Sequence, residues 1–237
     1  MIFFTDISTK ASSYCMLNIN RYNSKLKKNK KLVFVDPGVW ELTKGVTEYE
    51  FVEKLHRLAQ GNLEDNEYIS IDYPCDMNEK YTDFFIEKSI TNNLVYQRNP
   101  KYICTIQSKF RDFKDFKKRF DDLGPIFLDQ DKILGIGNMC RIMQPNTFTD
   151  NVFRYILRFR NSIRWVHFYG LAHKLIMKYI PMLEGWGMKT SVDHTKWTRA
   201  CHNKLKRQYG LNCSSSNRDE FFLENIKKMK KKIKVIM

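Results

Sequence analysis

Short apolar runs that stop at a polar side chain recur along this chain: Leu32–Asp36 (LVFVD), Tyr68–Asp72 (YISID), Tyr102–Gln107 (YICTIQ) and Lys189–Asp193 (KTSVD). Their shortness and their β-branched and aromatic content predict strands, as they do for Ile2–Ile7, Ile133–Ile136 and Trp165–Tyr169. Between these runs the apolar spacing changes to three and four residues. Phe51, Leu55 and Leu58 share one face of a helix over Glu48–Ala59. Further helices are predicted over Lys80–Thr91, Phe110–Asp122, Thr149–Arg160, Leu171–Met182, Lys196–Tyr209 and Glu220–Lys234. Residues 10–26 predict a polar or helical excursion, and Pro125–Leu128 is the candidate for an eighth strand.

Strands that alternate with helices predict an α/β fold around a parallel sheet. Seven or eight such units in 237 residues suit a (β/α)8 TIM-like barrel, whose typical length is about 250 residues. That barrel is expected to be compact, with an incomplete or irregular N-terminal part. A doubly wound open sheet is the alternative. Gly135-Ile136-Gly137 lacks the third glycine of a dinucleotide fingerprint and comes late in the chain, which argues against a Rossmann domain. No fixed-period repeat or Pro/Gly-rich linker divides the sequence. Residues 1–237 therefore read as one domain, with a basic helical C-terminal region over about 195–237.

In a parallel barrel the carboxyl ends of the strands carry the chemistry. Asp36, Asp72, Gln107 and Asp193 close four strands, and Gly135 and Gly170 lie at the ends of two others. Carboxylates and an amide at one rim can read the N–H, amino and carbonyl groups of a purine-like ring. Glycines let its edge reach the backbone, and Trp40 is spaced to stack on its face. A carboxylate beyond those needed for recognition suggests a nucleophile able to attack the sugar carbon. A lone strand-terminal aspartate is more often a helix cap or turn former; three on successive units favour a site.

The charge sharpens the substrate class. With 41 Lys and Arg against 26 Asp and Glu, the formal net charge is +15, which favours a polyanion and nucleic acid first. Lys28–Lys31 and Lys227–Lys234 also fit solvated surface runs. Lys196, Arg199, Lys204, Lys206 and Arg207, just beyond Asp193, read equally as phosphate contacts or a solvated helix face. The six cysteines show no CxxC pair, and Cys201, His202 and Cys213 fall one ligand short of a zinc set, so no metal is expected. No apolar run reaches membrane-spanning length. A cytoplasmic protein without a membrane partner is expected.

Several segments, taken in order, resemble the tRNA-guanine transglycosylase superfamily. Asp36-Pro37-Gly38-Val39-Trp40 is similar to its Asp-Ser-Gly-Gly-Tyr segment and Ser70-Ile71-Asp72 to its next aspartate-ended strand. Ile106-Gln107 resembles its Gly-Ile-Gln-Gln-Gly strand, and Leu134–Gly137 its Gly-Leu-Ala strand. His167–Ala172 resembles its His-Leu-(Phe/Met)-Gly-Val-Gly strand, and Ser191-Val192-Asp193 its Phe-Asp nucleophile strand. The likeness runs over roughly residues 32–200. It implies Asp193 as nucleophile and Asp36 as general acid/base that also touches the base. It further implies base contacts from Asp72, Gln107, Gly135 and Gly170, with Trp40 in place of the stacking tyrosine.

The family's zinc motif has no counterpart after residue 193, and the stretch before Asp36 is short. The Asp-Pro-Gly-Val-Trp and Asp-His-Thr-Lys-Trp-Thr-Arg segments look closer to the DNA-guanine transglycosylases of the DpdA type, found in phages and bacterial modification islands. That branch implies exchange of guanine in DNA for a 7-deazaguanine such as preQ0, without metal or nucleotide cofactor. Host cytoplasm, a homodimer and accessory proteins are compatible with it. The same chemistry on tRNA and a non-catalytic nucleic-acid-binding subunit stay open as alternatives.

Overall fold

A computed structural model of the chain describes residues 1–6, 13–19, 22, 30–36, 48–61, 63–73, 82–128, 132–193 and 223–232. The fold is α/β, built on an eight-stranded parallel sheet. Its strands are β1 (Ile2–Asp6), β2 (Tyr14–Asn18), β3 (Leu32–Asp36), β4 (Glu67–Ile69), β5 (Cys104–Ile106), β6 (Ile133–Ile136), β7 (Trp165–Phe168) and β8 (Lys189–Asp193). Spatial order is β4-β3-β2-β1-β8-β7-β6-β5. Ile69 of β4 also forms an isolated parallel bridge to the segment that leads into β5. The Ile69 N–H donates to the Lys101 carbonyl at 3.0 Å and the Ile103 N–H to the Ile69 carbonyl at 2.8 Å, pairing Ile69 with Tyr102.

Among the described residues five helices follow strands on the outer face: α1 (Glu48–Gly61), α2 (Thr82–Val95), α3 (Phe113–Phe127), α4 (Thr147–Arg158) and α5 (His173–Gly185), with a further helix, α6, over 223–232. Their starts are written locally. Asp112 caps α3 by accepting from the Asp115 N–H, and Asn146 with Thr149 forms a reciprocal capping box on α4. Among the described residues no helix is long and apolar enough to cross a membrane.

Both sheet faces are covered, so the strands alternate between two apolar sets. Cys15, Leu17, Val33, Val35, Ile69 and Ile71 face α1. Cys104, Ile106, Leu134, Ile136, Val166, Phe168 and Val192 pack among Phe116, Phe120, Phe153 and Leu175 of the outer helices. The opposite parity forms the inner cluster of Phe4, Phe34, Ile103, Ile133 and Trp165. Phe34 stacks on Phe4 with centroids 4.0 Å apart and lies 5.6 Å from Trp165.

Two expectations are corrected. The supposed polar or helical excursion contains β2, which pairs residue for residue with β3 from Tyr14–Leu32 to Asn18–Asp36. Its Cys and Met content conceals a strand that buries Cys15 and Leu17 completely. The N-terminal part contributes three consecutive strands to the sheet. The candidate eighth strand Pro125–Leu128 instead forms the end of α3. Phe116, Phe120, Leu123 and Phe127 continue one helical stripe, and the Leu128 N–H donates to the Gly124 carbonyl, so the apolar run belongs to the period of the preceding helix. The predicted helix over Lys196–Tyr209 lies outside the described residues.

Phe34→Ala removes the side chain at the middle of the inner cluster. A loss of about 3–5 kcal/mol is expected for such a deletion, read as a lowered urea midpoint at unchanged slope.

Candidate active site

All strands run parallel, so their carboxyl ends share one side of the sheet. The same parity that makes Leu32 and Phe34 inner residues makes Asp36 inner at the end of β3. By the same count Tyr68 leads to Ser70 and Asp72, Ile103 to Thr105 and Gln107, and Trp165 to His167 and Tyr169. Polar groups therefore crown the inner cluster.

Asp72 lies beyond the last ladder pair of β4, and polar side chains of α2 hold its segment extended. Asn92 Nδ2 donates to the Ile71 carbonyl at 2.9 Å, and the Tyr73 N–H donates to Ser89 Oγ at 2.9 Å. Asn93 likewise clamps Thr105, donating to its carbonyl at 2.9 Å and accepting its N–H at 3.2 Å. These buried amides replace missing sheet bonds and fix the approach of both strand ends to the rim.

The buried Asp72 carboxylate accepts from Ser70 Oγ at 2.7 Å and from Gln107 Nε2 at 2.6 Å. Ser70 Oγ in turn accepts from the Tyr169 hydroxyl at 3.0 Å. Burial raises the Asp72 pKa, while the Ser70 and Gln107 hydrogen bonds oppose the rise. Burial also pushes the Tyr169 phenol well above its ordinary value, with the charges of Asp72 and Asp36 adding to the effect. Tyr169 thus stands within the field of both carboxylates. Gln107 spends its Nε2 on Asp72 and leaves Oε1 buried without a hydrogen-bond partner. That is an acceptor suited to an incoming N–H.

Asp193 ends β8, 8% exposed, and accepts from the Gly170 N–H at 2.6 Å. Gly170 has φ +64°, and a Cβ there would stand 2.5 Å from Cys140 Cβ, so this donor position needs glycine. Burial lifts the Asp193 carboxyl to about 6; the Gly170 bond lowers it and the nearby Asp72 charge raises it further. Two carboxylates therefore share one desolvated mouth.

Beneath Asp193 lies His167, completely buried, whose Nε2 is 3.8 Å from Asp193 Oδ1. Burial drops the imidazole to about 3, so it is neutral at physiological pH and the contact is not an ion pair. Trp165 Nε1 donates to Ser191 Oγ at 2.8 Å, and Ser191 Oγ lies 3.0 Å from His167 Nδ1. The indole N–H can only donate, so Ser191 Oγ is fixed between the indole and the imidazole, with one proton shared along the Ser191–His167 contact.

The structure thus brings together Asp72, Gln107, Gly170 and Asp193, with Asp36 alongside. Gly135 is closely covered: a Cβ there would lie 2.5 Å from Thr105 Oγ1 and 2.9 Å from the Tyr169 ring. Trp40 and the basic group Lys196, Arg199, Lys204, Lys206 and Arg207 lie outside the described residues. Ser70, His167, Tyr169 and Ser191 were not among the site residues read from sequence. Their signal was parity, since each lies two positions from a residue already assigned to the inner face. Among the described residues no group of three or more His, Cys, Asp or Glu side chains could hold a metal ion.

The folded chain retains the Asp193 proton up to about pH 6, whereas the unfolded chain releases it in the ordinary carboxylate range. Stability therefore falls as pH rises between those values, and the deficit, about 3 kcal/mol, is complete above pH 6. Asp193→Asn, which can still accept from Gly170, is expected to raise the melting temperature at pH 7 and leave it nearly unchanged at pH 4. A Cβ on Gly137 would overlap the Gln107 amide. Gly137→Ala is accordingly expected to displace Gln107 from Asp72 and lose about 1–3 kcal/mol, measured by urea unfolding.

No family model matches the sequence, and no curated protein or solved structure is significantly similar to it, so the function of this mouth rests on its geometry and on the motif likeness.

Proposed function

We propose that the chain is a DNA-guanine transglycosylase of the DpdA type, which replaces guanine in DNA with a free 7-deazaguanine such as preQ0 on a (β/α)8 TIM-like barrel. The barrel is supported by the sheet order and the isolated Ile69–Tyr102 bridge between β4 and the segment that leads into β5. One observation carries the chemistry: Asp193 is a buried carboxylate, oriented by the Gly170 N–H, in the same mouth as Asp72 and the unsatisfied Gln107 Oε1. Nucleophile and ring-reading groups are thereby side by side.

In the proposed route Gln107 Oε1 accepts a base N–H, and Asp72 offers its remaining lone pairs to ring N–H or amino hydrogens. Asp193 attacks C1′ of the target nucleotide. The C1′–N9 bond breaks, its electron pair leaves with guanine, and Asp36 supplies the proton to the departing base. The incoming base then gives its proton to Asp36 and bonds to C1′ as the C1′–carboxylate ester breaks, regenerating Asp193. Two displacements retain configuration at C1′. The incoming base is the co-substrate, and the route needs no metal or nucleotide cofactor. Because C1′ and the base are inaccessible in a stacked duplex, the target is flipped out or single-stranded.

The test is incorporation of labelled 7-deazaguanine into DNA, with tRNA offered in parallel, followed by mass spectrometry of the nucleosides. DNA is expected to gain label, with Asp193→Asn at least about 10³-fold slower. An attacking carboxylate near pKa 6 also predicts a kcat/KM that falls about tenfold per pH unit below pH 6. Full exchange by Asp193→Asn defeats the assignment, and label in tRNA alone moves the substrate to RNA.

A further inference from the structure

The lysine run at 227–232 is carried by a docked helix. In α6 the buried Met229 and the half-buried Ile226 pack into the apolar cluster that α3, α4 and α5 build outside β5 to β8. At about 100° per residue those two positions define the inner side of the helix. Lys227, Lys228, Lys231 and Lys232 then fall on the opposite side, and all four are exposed. Lys228 pairs with Glu224. Lys227, Lys231 and Lys232 have no ion-pair partner among the described residues.

Such a stripe repels itself. Lys227 and Lys231, like Lys228 and Lys232, are equal charges four residues apart, a spacing that destabilises a helix. The helix dipole favours cations near the carboxyl end, but that attraction does not require a whole outward side of lysine facing one carboxylate. A polyanion laid along the stripe removes the repulsion. Lys232 marks where the stripe leads. Its charge reaches His173, whose pKa is lowered first by burial and then by Lys232. His173 opens α5 and follows Gly170, the donor to Asp193, by three residues. The stripe therefore ends on the side of the sheet where the mouth lies.

Acidic lipid and nucleic acid are the two polyanions that suit a basic helix. A helix that lies in a membrane interface does so through its apolar side, and here Ile226 and Met229 commit that side to the core. Charge is what the outer side has to offer. Over 223–232 the helix rises about 15 Å, a length over which one strand of B-form DNA presents about four phosphates. We infer that α6 is a DNA-docking helix, with Lys227, Lys231 and Lys232 binding backbone phosphates that flank the nucleotide entering the mouth. Delivery of that nucleotide to Asp193 rests on the proposed transglycosylase reading; the docking does not.

The experiment measures fluorescence anisotropy of a labelled DNA duplex as salt is varied, using the full chain and its Lys227→Gln/Lys231→Gln/Lys232→Gln form. Glutamine removes the charge and keeps the helix propensity, and circular dichroism establishes that every form is folded. Each phosphate contact contributes about 0.9 to the log–log salt slope for B-form DNA. The triple variant is expected to lose about 2.7 from that slope and to bind at least about tenfold more weakly at physiological salt. Lys227→Arg/Lys231→Arg/Lys232→Arg is expected to keep the slope, because the charges are retained. Lys114→Gln/Lys117→Gln/Lys118→Gln removes the same charge from exposed positions of α3 and is expected to lose less than about 0.9. Equal losses in the two glutamine forms assign binding to the overall +15 field and overturn the helix, as does an unchanged slope in the α6 form. A loss seen with tRNA, or with phosphatidylserine vesicles, but not with DNA overturns the choice of partner. Base-exchange assays on the same proteins separate the two proposals: slope loss without any exchange by the wild-type chain leaves the helix standing and removes the transglycosylase reading. Exchange with an unaltered slope does the reverse.

Discussion

Every strand of this sheet has both faces covered, and that requirement imposes a period of two on all that follows. Val33 and Val35 belong to the helix side, so Phe34 and Asp36 belong to the inner side; Val192 packs outward, so Ser191 and Asp193 turn inward. A slip of one residue in any strand would transfer its apolar residues to the wrong layer and its polar end away from the mouth. The hydrophobic core and the arrangement of carboxylates are consequently one constraint.

Burying those carboxylates is costly, and the structure offsets the cost selectively. Asp72 receives two side-chain hydrogen bonds and sits at the end of a relay from Tyr169 through Ser70. Asp193 accepts from the Gly170 N–H and remains lifted to about 6. The better-solvated group is suited to holding a ligand, and the less satisfied one to reacting. His167 reinforces the difference, since a neutral imidazole 3.8 Å from Asp193 brings no compensating charge. Stability and proposed function oppose each other here, as expected where a nucleophile is kept poorly solvated.

The α2 amides explain how the site is held open. Asn92 and Asn93 hydrogen-bond strand backbone at Ile71 and Thr105, on the side where β4 and β5 no longer pair with each other. A run of Thr91, Asn92 and Asn93 in a helix reads from sequence as a weak, polar face. Its role appears only when the helix is laid against the strand ends. Thr105 and Gln107 are then carried by one rigid segment, and Gly137 leaves room for the Gln107 amide to reach Asp72.

Local pattern sufficed for most strands and helices, because β-branched runs and helical stripes record their own geometry. Leu32–Asp36 and Lys189–Asp193 are strands over the residues their pattern marks out. It also sufficed for Asp36 and Asp193 as strand ends, whereas Asp72 and Gln107 lie in the segments just beyond β4 and β5. Pattern failed for Tyr14–Asn18, whose Cys and Met carry little strand preference, and for Pro125–Leu128, whose apolar residues complete a helix stripe. Sequence by itself determined which polar groups stand at the strand ends, since parity is a property of the chain. Only the tertiary structure decided that Asp72 bonds to Gln107, that Gly170 orients Asp193 and that Met229 seats α6 in the outer core. Those contacts join residues from different elements, whose separations are set by sheet register and packing rather than by any local preference.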